Sequence, residues 1–220
     1  PHRLGWLERH GMEITILAFE GMTPLDAVGP FEVLGRLPGA QVSIAARESG
    51  PQRSAGGSLA LLADYALTEV AQPDILLVPG GPGADALTKD TQVTDWVGRV
   101  HEKTLWTVSV CTGALVLGAA GVLRGLRVTT HWRAMNAISS YGAEAVDKRV
   151  VLDGKVITCA GVSSGIDMAL QLAAKLSGEE TARAIQLAIE YAPEPPFDSG
   201  RMERANEREQ KLARYGLNQP

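Results

Sequence analysis

The sequence predicts one α/β domain with a mostly parallel central sheet covered by helices on both faces. Short apolar runs rich in β-branched residues alternate with longer segments of helical period. The inner runs Ile75–Val78 (ILLV) and Trp106–Val110 (WTVSV) are almost unbroken in their apolarity, as strands buried on both faces are. The chain has 220 residues, 45% hydrophobic and 21% charged, an ordinary globular composition of single-domain size.

The elements follow in order. Glu13–Phe19 (EITILAF) reads as the first strand, broken by residues 21–24. Leu25–Leu37 reads as a helix stopped by Pro38 and Gly39. Gln41–Ala46 is a second strand, residues 50–58 a loop, and residues 59–62 a short strand. Ile75–Val78 runs into Pro79-Gly80-Gly81-Pro82-Gly83, and Asp90–Lys103 is a helix with Val93, Trp96, Val97 and Val100 on one face. The strand Trp106–Val110 passes directly into an apolar helix that Gly121 stops. Val128–Thr130 is a strand and Trp132–Ser140 a helix. Arg149–Leu152 and Lys155–Thr158 flank Asp153-Gly154, a strong hairpin signal. Gly165–Leu176 and Glu179–Glu190 are helices with apolar faces. Residues 12–200 read as the domain and residues 201–220 as a charged tail that offers a helix from Met202 to Tyr215.

Charge and composition exclude several classes. Lys and Arg number 21 against 25 Asp and Glu, a net charge of −4, which disfavours a nucleic-acid surface. No apolar run reaches the roughly 20 residues of a membrane span. The opening segment PHRLGWLERHG, residues 1–11, lacks the apolar core of a signal peptide and reads as an extension or tag remnant. Two cysteines make no disulfide framework, and a reducing cytoplasm suits them. No His/Cys cluster has metal spacing, so neither metal nor cofactor is expected.

Cys111 stands where strand becomes helix, followed by Thr112 and Gly113. A residue in such a turn is carried to the carboxyl edge of the sheet, where open α/β folds place ligands. Serine hydrolases present their nucleophile in the same way. The helix N-terminus is expected to favour the thiolate, with Thr112 N–H donating to developing charge. The other reading is a small buried hydrophobe, the usual fate of a free cysteine. Asp26 opens a helix and reads either as an acid favourable to the helix dipole or as a proton carrier. Gly80 and Gly81 form either an anion-binding nest or a plain turn. His131, in TTHW, reads first as a structural histidine, although the next strand could bring it toward Cys111. His101 reads as exposed and Cys159 as packing. Ser163 or Ser164 is a natural helix cap, and with Val162 they open a loop placed to line a pocket.

Ser109–Trp132 (SVCTGALVLGAAGVLRGLRVTTHW) resembles the nucleophile region of the ThiJ/PfpI superfamily, and more narrowly its isocyanide hydratase branch and the sensor domains of AraC-type regulators. The resemblance extends to FEGMTPLDAVGPFEVL, DILLVPGGPGADAL, VVLDGKVITCAGVSSGIDMALQLAA and EYAPEPPFDSG, and so spans residues 12–200. It implies a flavodoxin-like three-layer sandwich of the class I glutamine amidotransferase kind, and a homodimer. It makes Cys111 the nucleophile and Asp26 its acidic partner. It makes the N–H groups of Thr112 and Gly81, beside Gly80 and Val162, the binders of charge. Thr112 stands where protease-like relatives often carry His, so the usual Cys–His base is absent. The implied activity is hydration of an isonitrile through a cysteine thioimidate. The alternatives are an AraC-type sensor domain, for which the tail after Tyr191 is too short to hold a helix-turn-helix, or a glyoxalase-like or oxidative-stress activity.

Overall fold

The computed structural model describes residues 11–215; the expected N-terminal extension, apart from Gly11, lies outside them. The described chain divides into a large unit ending at Ile189 and a C-terminal unit from Glu190 onward. In the large unit, strands β1 (Met12–Leu17), β2 (Ala40–Ala46), β5 (Tyr65–Ala66), β6 (Ile75–Val78), β7 (Trp106–Val110), β10 (Val150–Asp153) and β11 (Val156–Cys159) form one seven-stranded sheet. Its order is β10-β11-β7-β6-β1-β2-β5. Every neighbouring pair is parallel except the β10–β11 edge hairpin. This is a flavodoxin-like α/β fold.

Helices cover both faces because the central strands bury both. On one face Ala27, Val33 and Leu34 of α1 (Pro24–Leu34) meet Ile14, Ile16, Leu77 and Val108 of the sheet. Met168, Ala169 and Leu172 of α6 (Ser164–Ser177) and Ile185 of α7 (Glu179–Ala188) complete that layer. On the other face lie a short helix α2 (Ala84–Leu87), α3 (Thr91–Lys103) and α4 (Gly113–Ala119). There Val93, Trp96, Val97 and Val100 pack with Val116, Leu117, Leu76 and Val78. The α3 start is fixed by Asp90, whose Oδ1 accepts from the N–H groups of Gln92 (3.0 Å) and Val93 (3.4 Å).

Several boundaries differ from the sequence reading. Helix α1 ends at Leu34 rather than Leu37, because Arg36 and Leu37 N–H close tight turns on Val33 (3.2 Å) and Leu34 (3.1 Å). Residues 50–58 are not all loop: β3 (Gly50–Arg53) pairs antiparallel with β4 (Ala60–Ala63). The strand expected at Val128–Thr130 is β8 (Arg127–Val128), paired with β9 (Glu144–Ala145). The helix expected over Trp132–Ser140 breaks into a 3₁₀ turn, α5 (Met135–Ile138) and a second 3₁₀ turn. Ala134 N–H bonds back only three residues, to His131 O (2.7 Å), which prevents a continuous α-helix. The hairpin turn lies one residue later than expected, since Asp153 pairs with Val156 and Gly154 takes the first turn position at φ 59. His101 is half-buried, not exposed; its Nδ1 meets Thr107 Oγ1 at 2.8 Å.

The C-terminal unit carries α8 (Glu207–Tyr215). Asn206 and Glu209 cap its start reciprocally, Asn206 N–H to Glu209 Oε2 (2.8 Å) and Glu209 N–H to Asn206 Oδ1 (2.9 Å). Among the described residues, no helix is long and apolar enough to cross a membrane.

Candidate active site

The carboxyl ends of β1, β6, β7 and β11 are adjacent in the sheet, so the loops leaving them converge. Cys111 leaves β7 with φ 57, a left-handed conformation rare for a non-glycine residue. Three hydrogen bonds hold it there. Its N–H is shared between the carbonyls of Cys159 (3.1 Å) and Ala160 (3.0 Å), and its carbonyl accepts from Thr130 Oγ1 (2.8 Å). Only 5% of the residue is exposed. Backbone strain of this kind is concentrated at functional sites and persists only where surrounding bonds hold it.

Asp26 is fully buried at the start of α1. Its Oδ2 accepts from Gly80 N–H at 2.9 Å, while Oδ1 has no hydrogen-bond partner. Burial raises its pKa from 3.8 to about 6, against the opposing pull of the Gly80 N–H and the nearby Cys111 thiol. The thiol lies close enough to favour the carboxylate, although no hydrogen bond of ordinary geometry joins the two.

The expectation of a helix-stabilised thiolate does not survive. Burial, and next the Asp26 charge, push the Cys111 thiol up to about 12. The N–H groups of Thr112 and Val162 and the Thr112 hydroxyl pull the other way but are outweighed. A short helix end loses here to desolvation. Above about pH 6, therefore, the pair rests as thiol and carboxylate.

The two glycines also act differently from a free anion nest. Gly80 N–H is taken by Asp26, and Gly81 N–H donates to Thr112 Oγ1 (2.9 Å). A buried carboxylate and a neighbouring hydroxyl recruit the nearest donors. Both positions need glycine: a Cβ on Gly80 would sit 2.4 Å from Thr112 N, and Gly81 has φ 136. Val162, at φ 23, is strained for a β-branched residue, and its N–H favours the charged form of the Cys111 thiol.

His131 stands beside the site without joining the pair. Its Nδ1 accepts from Arg133 N–H (3.3 Å), and Cδ2 packs where a Cβ on Gly161 would approach to 2.9 Å. Burial, then Arg133, lowers its pKa and so favours the neutral ring. Cys159 is fully buried, with Sγ against Ser109 O (3.4 Å) and a pKa raised by burial to about 12. Ser163 precedes α6 but gives no side-chain cap; Ser164 lies inside the helix, its hydroxyl buried beside Cys159.

Sequence reasoning missed Thr130 and the carbonyls of Cys159 and Ala160, which fix the Cys111 backbone. The Thr-Thr pair before His131 was the only available hint. Among the described residues, no group of His, Cys, Asp and Glu has a metal-holding arrangement.

The DJ-1/PfpI family model matches residues 12–175, and the chain belongs to that family. It is 42% identical over 189 residues to an isonitrile hydratase of Pseudomonas putida, covering 86% of this chain and 82% of that one. It is 28% identical to the HTH-type transcriptional regulator CdhR of Pseudomonas aeruginosa, over 90% of this chain but 58% of the regulator. A ThiJ/PfpI family protein from Pseudomonas syringae superposes with a TM-score of 0.88 at 34% identity, covering 93% of this chain and 88% of that one.

Proposed function

We propose that this chain hydrates an isonitrile to the N-substituted formamide, with Cys111 as nucleophile and Asp26 as proton carrier. One observation carries the reading: a thiol fixed at φ 57 on the sheet's carboxyl edge lies beside a buried carboxyl of pKa about 6, and His131 is hydrogen-bonded to neither. The likeness to the Pseudomonas putida hydratase supports it.

The terminal carbon of R–N≡C accepts nucleophiles. As sulfur bonds to it, the thiol proton passes to the Asp26 carboxylate, so no free thiolate need accumulate at neutral pH. Asp26 then protonates the same carbon, giving the thioimidate S–CH=N–R. Water adds to that carbon while Asp26 takes one of its protons and relays it to nitrogen. The tetrahedral adduct expels sulfur, its hydroxyl proton returns to the thiol, and R–NH–CHO leaves. The N–H groups of Thr112 and Val162 steady charge on sulfur, and Gly80 N–H holds Asp26 in place. No cofactor is required. The covalent step divides one difficult hydration into two easier ones.

The enzyme is read as a homodimer working in the cytoplasm, where two free thiols stay reduced. A second reading, a ligand-sensing domain, is favoured by the similarity to CdhR across 90% of this chain. Incubating the purified protein with one alkyl and one aryl isonitrile separates them. Formamide formed catalytically supports hydration; saturable binding without formamide supports sensing.

A further inference from the structure

We propose that Arg149 and Asp167 form a positioning pair that holds the Val162–Ser164 turn against the Cys111 sulfur. The inference rests on the reading of Cys111 as the reacting thiol. That turn needs support from outside. Val162 sits at φ 23, a conformation that a β-branched side chain resists. Of the turn's own bonds, Ser164 N–H to Gly161 O is ordinary at 3.0 Å, whereas Gly165 to Val162 O and Ile166 to Ser163 O are long, both 3.4 Å. Ser163 adds no side-chain cap.

Arg149 supplies the missing constraint from both sides. Its carbonyl accepts from Ala160 N–H at 2.9 Å, and Ala160 O in turn accepts from Cys111 N–H. Its guanidinium crosses the turn, Nε donating to Asp167 Oδ2 in a close ion pair, with Nη2 at a longer 3.4 Å from Ser163 Oγ. Asp167 lies in the first turn of α6, where a carboxylate also suits the helix dipole. One residue therefore ties β11's exit, through its carbonyl, to the start of α6, through its side chain, with Val162 between. The two side chains are 42% and 29% exposed, so their attraction contributes little to global stability. What the pair fixes is the place of Val162, which packs against the buried cluster that holds Cys111 and whose N–H favours the charged thiol.

The test is the rate at which iodoacetamide alkylates Cys111, read by peptide mass between pH 6 and 10, with melting temperature alongside. It needs no isonitrile, so its outcome stands apart from the hydratase reading. Asp167→Asn and Arg149→Met should each slow alkylation about tenfold, as a one-unit rise in thiol pKa would. The double variant should be no slower than the slower single one, and Arg149→Lys should recover part of the rate. Arg183→Met, which breaks the exposed Arg183–Glu179 pair of α7, should react as wild type does. Asp167→Asn is isosteric; if Arg149→Met fails to fold, it decides alone. Wild-type alkylation by Asp167→Asn, or effects that multiply in the double variant, would overturn the proposal.

Discussion

At the residue scale, two groups oppose one another. Asp26 is held as a carboxyl of pKa about 6 and Cys111 as a thiol pushed to about 12, each by burial first. Together they carry one shared proton across the neutral range, which suits transfer rather than a standing thiolate. The sign of the stability effect follows from the direction of the Asp26 shift. The folded state holds the proton more tightly than the unfolded chain, so Asp26 favours folding below about pH 4. That advantage fades as pH rises to about 6 and is gone above it. Over that window the loss amounts to roughly 3 kcal/mol. Asp26→Asn should therefore gain melting temperature over wild type at pH 8 and lose most of that advantage at pH 4.5. Parallel melting curves at the two pH values check it; an offset that does not change with pH would mean that Asp26 is not buried in its charged form.

At the element scale, the site exists because loops touch backbone to backbone. Gly80, after β6, lies against Thr112 N, at the entry to α4 after β7, so closely that one methyl has no room. Gly80→Ala should cost about 1–3 kcal/mol by overpacking. It should also pull Asp26 from its N–H donor, so turnover should fall further than the stability loss alone explains. Thermal melts and rate measured on one sample test this. Much of this level was legible in the sequence. The strand-to-helix change at Cys111, the glycines after Ile75–Val78 and the acid in Pro24-Leu25-Asp26 marked where the loops meet. The strained Val162 was not legible, since a β-branched residue gives no sign of positive φ. Nor was the Asp26 bond to Gly80, which joins residues far apart in the chain. Cys111 is buried in a cluster drawn from the sheet, α1 and α6, an environment that no local motif encodes.

At the scale of the whole molecule, alternating strands and helices revealed the sheet and both helical layers, because buried parallel strands have an apolar signature. Boundaries moved where turns tightened, as at Leu34 and Ala134. Helix α1 turns Leu25, Val28 and Phe31 outward, 42%, 36% and 39% exposed. Their spacing of three residues makes one stripe, which a second copy is expected to cover. Light scattering at micromolar concentration should give a dimer mass for wild type and a monomer mass for Phe31→Glu; a wild-type monomer would contradict it. The central claim is that Cys111 and Asp26 together hydrate the isonitrile carbon, and formamide formation by wild type, Cys111→Ala and Asp26→Asn under one set of conditions tests it most directly. Cys111→Ala should form none above the uncatalysed rate, and Asp26→Asn should be slower by roughly 10²–10⁴, the range of a lost general acid or base. Undiminished formamide formation by Cys111→Ala would contradict the account.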